Sequence, residues 1–262
     1  HLDIYGDSDA MNKSFQEFVD KVNPQGKVFL QSEVELNFGD KRTYSLKDAN
    51  ADFYAENISV VRGNFVFDSV TPKGKINEIS LGISGLHNIE NALATIAVCQ
   101  EIGLDNATIK NGLESYKGVK RRFEYILNRE EIVFIDDYAH HPTEINALVN
   151  SVRTLFPNRK ITGVFQPHLY SRTRDFGNEF AQELSQLDEV IVLDIYPARE
   201  RPMEGIDAEF LLDKINGIPK RKESKATLVQ GIEKSDVEVL ITIGAGDISS
   251  LVESIKQKLT QS

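Results

Sequence analysis

The sequence predicts an α/β protein in two parts, and two patterns carry this prediction. Residues 1–118 contain alternating polar and apolar runs separated by turn signals such as Arg62-Gly63-Asn64, which is typical of antiparallel β-hairpins. Residues 119–262 alternate short β-branched runs with amphipathic segments, which predicts a largely parallel sheet with right-handed crossovers. We place the boundary near residues 117–120.

The first part is expected to open with a helix, continue through a short strand and three strand-like runs, and close with two helices. Asp105 precedes the second of these two helices and is expected to be its N-cap. The predicted elements are helix 13–22, strand 28–30, runs 52–61, 65–70 and 76–83, and helices 88–102 and 106–116.

The second part is expected to contain five strands and four main helices, assigned from the spacing of apolar residues. The predicted strands are 123–127, 132–135, 161–165, 190–193 and 239–243, and the predicted helices are 143–156, 175–187, 208–215 and 248–259.

Composition excludes several classes of protein. With 262 residues, 40% hydrophobic and 27% charged, the chain is long enough for two globular domains. A net charge of −10 argues against binding to nucleic acid or to a membrane, since both favour a basic surface. The single cysteine, Cys99, lies in an apolar helical pattern and fits a reduced core residue in the cytoplasm. The chain does not begin with Met, so we expect a natural N-terminus to be missing.

The densest group of reactive side chains lies in residues 136–144, with the sequence DDYAHHPTE. A buried strand is predicted before it and a helix after it, with Pro142 and Glu144 at favourable first-turn positions. Helix capping and solvation explain part of this polarity. However, carboxylates, imidazoles and a phenol at the carboxyl end of a strand lie where open α/β sheets bind ligands, so we favour a functional site.

A second glycine-containing turn, Gly244-Ala245-Gly246-Asp247, ends a predicted strand and begins a helix. Alone it indicates an anion-binding helix terminus, which is a weak signal. The dinucleotide motif requires a third glycine where this chain has Ser249, so we reject a nicotinamide cofactor.

Taken in order, several segments resemble the Mur ligase family, and most closely its members that add L-alanine to UDP-N-acetylmuramate. The opening His1-Leu2-Asp3 resembles the tail of the family's Asp-His-x-Asp motif. The other matching segments are SGLHNIENA (84–92), GVKRRF (118–123), DDYAHHPTE (136–144), FQPHLYSRTRD (165–175), YPARE (196–200) and GAGD (244–247).

The resemblance implies a partial Mur ligase central domain of hairpins and helices in residues 1–118, which is the later part of the ATP-binding domain. It implies a Rossmann-like C-terminal ligase domain with a mostly parallel sheet in residues 119–262. The family's N-terminal domain and glycine-rich phosphate loop have no counterpart here, because Pro72-Lys73-Gly74-Lys75 has the wrong spacing and lies in a hairpin turn. The chain therefore resembles a fragment.

The resemblance also implies which residues bind ATP in the first part. Asn88 and Asn91 match asparagines that contact adenine, and His87 precedes them. Asn88 and Asn91 are three positions apart and share a helix face. An amide side chain supplies the donor and the acceptor that the edge of adenine requires. The alternative is that Asn88 is a helix N-cap and Asn91 a surface residue.

Residues near the start of the second part match the family's nucleotide and phosphate contacts. An arginine here reaches the γ-phosphate when the domains close, and we assign this role to Arg122, with Arg121 second. The alternative for both is a solvated linker. Asp137 is expected to accept hydrogen bonds from ribose, Tyr138 to flank the nucleotide, and His140 to face the transferred phosphate.

The family resemblance points to residues 168–174 for the incoming amino acid. His168, Arg172 and Arg174 are expected to bind its carboxylate, with His141 as a further substrate contact that alternatively only caps a helix. Alternatively, the two arginines lie in a surface turn and form ion pairs with acidic neighbours. His1 matches a histidine that serves a second Mg²⁺, although Mg²⁺ prefers oxygen ligands.

For the intact enzyme, the resemblance implies ATP-dependent amide formation with UDP-N-acetylmuramate, L-alanine, ATP and Mg²⁺, and no nucleic-acid or membrane partner. The fragment alone is expected to be inactive. Two alternatives remain open: a murein-recycling ligase that adds a tripeptide to the same sugar, and a non-catalytic module that binds a nucleotide and an amino acid.

Overall fold

The structure, a computed structural model, describes residue 5, residues 7–61 and residues 63–261. The chain forms two compact units, which divide between Tyr116 and Lys117. A five-stranded sheet lies in the first unit and a six-stranded sheet in the second, each with flanking helices. The predicted α/β class is therefore confirmed.

The first unit has the strand order β1-β2-β3-β4-β5. The pairs β1–β2 and β2–β3 are parallel, whereas β3–β4 and β4–β5 are antiparallel. Its elements are α1 (Ser8–Val19), β1 (Val28–Gln31), β2 (Lys41–Ser45), β3 (Phe53–Val61), β4 (Asn64–Thr71), β5 (Gly74–Ser80), α2 (Leu86–Glu101) and α3 (Asn106–Ser115).

The structure corrects two predictions in this unit. The predicted antiparallel hairpins are confirmed in β3–β5, whereas the polar strand β2 was missed because its sequence, KRTYS, lacks an apolar run. Helix α1 begins at Ser8 rather than at residue 13, because the side chain of Asp7 caps it by accepting a hydrogen bond from the Ala10 N–H at 2.7 Å. The predicted Asp105 N-cap of α3 is confirmed by a bond from the Thr108 N–H.

A buried carboxylate, Asp68, fixes two irregular positions in the antiparallel part of this sheet. It accepts hydrogen bonds from the Asn57 amide and the Glu78 N–H, each at 2.7 Å, and pairs with Lys75 at 3.0 Å. Asn57 and Glu78 have φ of 52° and 53°, in the left-handed region that disfavours residues with a Cβ. The bond from the Glu78 N–H, followed by those from Asn57 and Lys75, lowers the pKa of Asp68 to about 2.

We predict that Asp68→Asn lowers the free energy of unfolding by roughly 1–3 kcal/mol at neutral pH, as loss of a charged hydrogen-bond acceptor does. Because the pKa of Asp68 is lower in the folded than in the unfolded protein, its carboxylate stabilises the fold above the unfolded pKa, and this stabilisation is lost as pH falls. The difference in free energy of unfolding between the variant and the wild type should therefore shrink between about pH 4 and pH 2. Urea unfolding at several pH values measures this. Asp48→Asn, in an exposed turn, is the control, and an equal effect there would contradict the account.

The second unit has the strand order β10-β9-β8-β11-β7-β6, in which only β6 is antiparallel to its neighbour. Its elements are β6 (Glu124–Asn128), β7 (Val133–Asp137), α4 (Pro142–Leu155), β8 (Ile161–Phe165), α5 (Tyr170–Asp175), α6 (Gly177–Leu184), β9 (Glu189–Leu193), α7 (Ala208–Leu212), β10 (Lys220–Glu223), α8 (Lys225–Gly231), β11 (Val239–Ile243) and α9 (Val252–Thr260).

Several helix predictions in this unit need correction. The helix predicted at 175–187 is the shorter α6, Gly177–Leu184, and the helix α5 before it, Tyr170–Asp175, was not predicted. Gly177 lies so close to Phe210 that a Cβ there would be 2.8 Å from its ring. The helix predicted at 248–259 begins with a 3-10 turn, Asp247–Leu251. Strand β10 and helix α8 were not predicted, since β10 consists of the charged residues KRKE at the sheet edge.

One hydrophobic core of the second unit lies between its sheet and helices α8 and α9. Phe134, Val164, Ile191 and Leu240, from four adjacent strands, are at most 1% exposed and pack with Ile255 of α9. Burial of this kind contributes about 25 cal/mol per Å² of apolar surface and gives a rigid support for the loops at the strand ends. Among the described residues, no helix is long and apolar enough to cross a membrane.

Candidate active site

The parallel strands of the second unit all end at one edge of their sheet, which we call the carboxyl edge. The registers place Asp137, Phe165 and Ile243, the last residues of β7, β8 and β11, side by side. Because β6 is antiparallel, its first residue, Glu124, pairs with Asp136 at this same edge. The loops after β7, β8, β9 and β11 and the segment before β6 therefore meet there, where α/β sheets bind ligands.

Asp136 lies at the end of β7 and is 2% exposed. Its carboxylate accepts a hydrogen bond from the Thr242 hydroxyl at 2.6 Å and lies 3.5 Å from Nε of Arg121. Burial raises the pKa of Asp136, while the Thr242 hydroxyl and Arg121 oppose that rise. A buried carboxylate with a hydroxyl and a guanidinium as partners links β7, β11 and the segment before β6.

Asp137, the next residue, is 6% exposed. One oxygen accepts the Phe123 N–H at 2.7 Å and the other accepts the Ala139 N–H at 2.8 Å. Burial raises the pKa of Asp137 to about 6, against the opposing effect of these two bonds and of Arg122. Each oxygen of the predicted ribose contact thus accepts one backbone N–H.

The two arginines before β6 differ sharply in their surroundings. The Arg121 guanidinium donates to the Gly244 carbonyl and lies 4.8 Å from the centre of the Tyr138 ring. Arg122 is exposed, and its guanidinium carbon lies 5.7 Å from the same ring. Arg121 is therefore engaged within the protein, whereas Arg122 presents its donors outward, as a phosphate contact requires.

The histidines after β7 lie at the start of α4. The Nδ1 of His140 is 3.0 Å from the Tyr138 carbonyl oxygen and 3.3 Å from a carboxylate oxygen of Glu144. That carboxylate accepts the backbone N–H groups of His140 and His141 at 2.8 and 3.1 Å. His141 occupies the N-cap position of α4, the place given by the capping alternative. His140 points towards the loop after β8.

His168 connects that loop to the others. Its ring stacks on Tyr196 with centroids 5.7 Å apart and meets the edge of His140 at 5.9 Å. Its Nδ1 lies 3.5 Å from an Arg172 nitrogen. Burial lowers the pKa of His168, and the charge of Arg172 lowers it further, so this imidazole is neutral near pH 7. Because Arg172 can only donate, Nδ1 of His168 is the acceptor.

Arg174, the third predicted substrate residue of this loop, is exposed and donates to Asp175 at 2.7 Å. That pairing matches the surface-turn alternative for Arg174, while Arg172 lies beside His168. The start of α5 is held by Glu200, which accepts the Ser171 N–H at 3.0 Å and also the Ser171 hydroxyl.

Sequence reasoning gave no role to Tyr196 or Glu200, although the YPARE segment that contains both was recognised. The structure places Tyr196 against His168 and Glu200 against Ser171, so the loop after β9 supports the loop after β8. Only the matching motif signalled these residues; their partners are not near them in sequence.

The glycines after β11 are required by packing. A Cβ on Gly244, which has φ of 146°, would lie 2.6 Å from the Gln166 carbonyl oxygen, and one on Gly246 would overlap the Gln166 side chain. That side chain donates to Asp247 at 2.8 Å and accepts the Ile248 N–H at 2.9 Å. These contacts explain the two glycines of residues 244–247 by packing alone, without a bound anion.

The predicted adenine residues lie at the start of α2 in the first unit. Gly85 is the N-cap of this helix, so the alternative in which Asn88 caps it is wrong. Asn88 is 7% exposed and donates to the Ser84 carbonyl at 2.7 Å, and the exposed Asn91 donates to the Asn88 oxygen at 3.2 Å. His87, between them and Gly85, is half-buried. Asn91 is the amide of this group that faces solvent.

The predicted metal residue, His1, lies outside the described residues. Within residues 7–61 and 63–261, no three His, Cys, Asp or Glu side chains are grouped so as to hold a metal ion.

We predict that the carboxyl carbon of Asp137 titrates with a midpoint near pH 6 in an NMR experiment, because burial opposes its ionisation. A carboxyl group whose pKa is raised by folding stabilises the fold below its pKa in the unfolded chain. This stabilisation is lost as pH rises through its pKa in the folded protein. Relative to Asp137→Asn, the wild type should therefore lose roughly 3 kcal/mol between about pH 4 and pH 7. A midpoint near 4 would contradict the prediction.

Two domains of one protein family match this sequence, one in each of its two units. Residues 1–99 match the Mur ligase middle domain, and residues 121–246 match the glutamate ligase domain of Mur ligases.

The chain is 47% identical over 261 residues to a UDP-N-acetylmuramate–L-alanine ligase of Flavobacterium psychrophilum, covering 100% of this chain and 57% of that protein. The crystal structure of the UDP-N-acetylmuramate–alanine ligase of Thermotoga maritima aligns with a TM-score of 0.79 at 29% identity, covering 98% of this chain and 56% of that one. The Thermotoga maritima MurF ligase in complex with ADP has a TM-score of 0.73 at 16% identity, covering 99% and 60%, and shares the fold.

Proposed function

Because this chain belongs to the Mur ligase family, we propose that it is part of an ATP-dependent ligase that joins L-alanine to UDP-N-acetylmuramate. This reaction belongs to the synthesis of peptidoglycan precursors, and we place it in the cytoplasm. The observation that carries the proposal is the meeting of Arg122, His140, His168 and Arg172 at one carboxyl edge, in a chain 47% identical to such a ligase. We assign residues 1–118 to the later central ATP-binding domain and 119–262 to the C-terminal ligase domain.

In the proposed reaction, the lactyl carboxylate of the sugar attacks the γ-phosphorus of ATP, giving an acyl phosphate and ADP. The amine of L-alanine then attacks the acyl carbon, loses a proton, and phosphate leaves as the amide forms. Both steps gather negative charge on phosphoryl oxygens. The main demands on the protein are therefore positioning and stabilisation of charge.

Arg122 is the residue we assign to the γ-phosphate. Its guanidinium is exposed, whereas that of Arg121 donates to Gly244 and lies beside Asp136. A planar, permanently charged fork stabilises a phosphoryl group better than a point charge does. We assign His140 to the transferred phosphate as well, since its ring borders the same cluster through Tyr138.

Arg172 is the residue we assign to the carboxylate of the incoming amino acid. It lies beside His168, whose neutral imidazole adds no positive charge of its own. Arg174 and His141 remain further candidates for substrate contact, and of these Arg174 is already paired with Asp175.

For the nucleotide, we propose that Asn91, Asn88 and His87 form the adenine contacts, with Asn91 offering its exposed amide. Tyr138 is proposed to flank the nucleotide, with Asp137 and Arg121 beside it. Mg²⁺ is expected to neutralise phosphate charge when bound, and His1 is its proposed ligand in this chain.

The chain spans 57% of the length of the Flavobacterium relative. We therefore predict that the 262-residue chain alone releases no phosphate with ATP, L-alanine and the UDP sugar, and that it binds ATP more weakly than micromolar. Isothermal titration and a phosphate assay measure both. A micromolar dissociation constant, about −8 kcal/mol, would instead favour the stand-alone binding module.

In the full-length protein that carries this sequence, we predict phosphate release that depends on L-alanine and a fall in kcat of about 100-fold or more in Arg122→Ala, since a preorganised charge contact is lost. Lys120→Ala, which removes an exposed cation from the same segment, is the matched control and should change kcat little.

Phosphate release that depends on a tripeptide instead of L-alanine would move the protein to the recycling ligases. Equal activity of the Arg122→Ala and Lys120→Ala variants would contradict the role assigned to Arg122.

A further inference from the structure

The loops after β8 and β9 each contain a residue in an unfavourable backbone conformation. Leu169 and Ala198 have φ of 72° and 50°, in the left-handed region that disfavours residues with a Cβ. Such conformations persist only where the surroundings fix them. The contacts that hold these two loops therefore also decide where helix α5 lies, since it begins directly after Leu169.

Backbone hydrogen bonds join the two loops just before α5 begins. The Tyr196 N–H donates to the Pro167 carbonyl at 2.8 Å, and the Leu169 N–H donates to the Tyr196 carbonyl at 3.0 Å. The rings of His168 and Tyr196 also stack on each other. These contacts fix the three residues before α5, whereas the helix itself begins only at the next residue.

The first turn of α5 has no cap of its own. Leu169 occupies the N-cap position without a side-chain bond to the free N–H groups there, and the first turn contains no acidic residue. Glu200, from the loop after β9, supplies the missing acceptor. One of its oxygens accepts the Ser171 N–H at 3.0 Å, and the other accepts the Ser171 hydroxyl. A helix of 6 residues is too short to be stable alone, so this carboxylate is a main support of the turn.

Arg172 lies in the turn that Glu200 holds, and its guanidinium is 3.5 Å from Nδ1 of His168. Burial raises the pKa of Glu200, but the bonds from Ser171 and the charge of Arg172 oppose this effect and bring the pKa below its ordinary value. The side chain is therefore an ionised acceptor near pH 7. Any movement of the first turn of α5 also moves the Arg172 guanidinium relative to His168.

We propose that Glu200 is a positioning residue, which acts on the incoming amino acid through Arg172 by holding the first turn of α5. This proposal rests on the function proposed for Arg172. The competing role is direct contact, in which the Glu200 carboxylate itself binds the ammonium group of the amino acid. The two roles make different demands, because positioning requires hydrogen bonds to Ser171, whereas direct contact requires a negative charge.

A structural test uses hydrogen exchange in the 262-residue chain. In Glu200→Ala, the Ser171 N–H loses its acceptor. The Thr173 N–H, which donates to the Leu169 carbonyl at 3.1 Å, loses the support of the turn before it. Both amides should exchange at least about tenfold faster than in the wild type. Glu204→Ala removes an exposed carboxylate from the same loop, and as the matched control it should leave both amides unchanged. Unchanged exchange of Thr173 in Glu200→Ala overturns the proposal.

A functional test compares Glu200→Ala with Glu200→Gln in the full-length ligase. Glutamine keeps an oxygen for the Ser171 N–H and an N–H for the Ser171 hydroxyl, but it has no charge. Positioning predicts that Glu200→Ala raises KM for L-alanine about tenfold or more, with KM for ATP nearly unchanged, and that Glu200→Gln stays within about threefold of the wild type. Glu200→Ala should also add little in the Arg172→Ala background.

Direct contact predicts a different pattern in the same measurements. Glu200→Gln would then raise KM for L-alanine as much as Glu200→Ala does, and the effect of Glu200→Ala would add to that of Arg172→Ala. That outcome overturns the proposal.

If Glu200→Ala does not fold, Ser171→Ala takes its place, because it removes only the bond from the hydroxyl. It should raise KM for L-alanine by about two- to fivefold, and an unchanged KM contradicts the proposal. If Arg172→Ala keeps the wild-type KM for L-alanine, the function proposed for Arg172 is wrong and this proposal falls with it. Unchanged exchange at Ser171 and Thr173, with the role of Arg172 confirmed, overturns this proposal alone.

Discussion

The geometry of the carboxyl edge depends on two adjacent carboxylates buried at the end of one strand. Asp136 and Asp137 are 2% and 6% exposed, and a buried carboxylate is tolerated only where hydrogen bonds and cations satisfy it. Their partners come from three other places in the chain, namely Thr242 of β11, residues 121 and 123 before β6, and Ala139 after β7. Satisfying these two side chains therefore brings together β11, the segment before β6 and the loop after β7.

Around that pair, the charges at the carboxyl edge divide into engaged and free groups. Arg121 is occupied by Asp136 and the Gly244 carbonyl, while Arg122 is exposed beside Tyr138. His168 is neutral because of burial and the charge of its neighbour, Arg172. The exposed guanidinium of Arg122 and that of Arg172 thus place positive charge at this edge in a protein whose net charge is −10. Such local charge is compatible with a ligase that handles ATP and a carboxylate.

Much of this arrangement could be predicted from sequence because it follows from local patterns. Strands 161–165 and 239–243 were predicted with their observed bounds, since β-branched runs buried on both faces are distinctive. The charged edge strand β10 was missed because it pairs on one side only. The partner of Arg121, the Gly244 carbonyl, lies 123 positions away, and no local pattern indicates such a contact. The support of His168 by Tyr196 was missed for the same reason.

The most direct test of the account is a crystal structure of the full-length protein with a non-hydrolysable ATP analogue and the UDP sugar. The account predicts a guanidinium nitrogen of Arg122 within about 2.7–3.2 Å of a γ-phosphate oxygen, with the Phe123 N–H still bonded to Asp137. An Arg122 side chain that points to solvent, while the γ-phosphate is held by other residues, would contradict it.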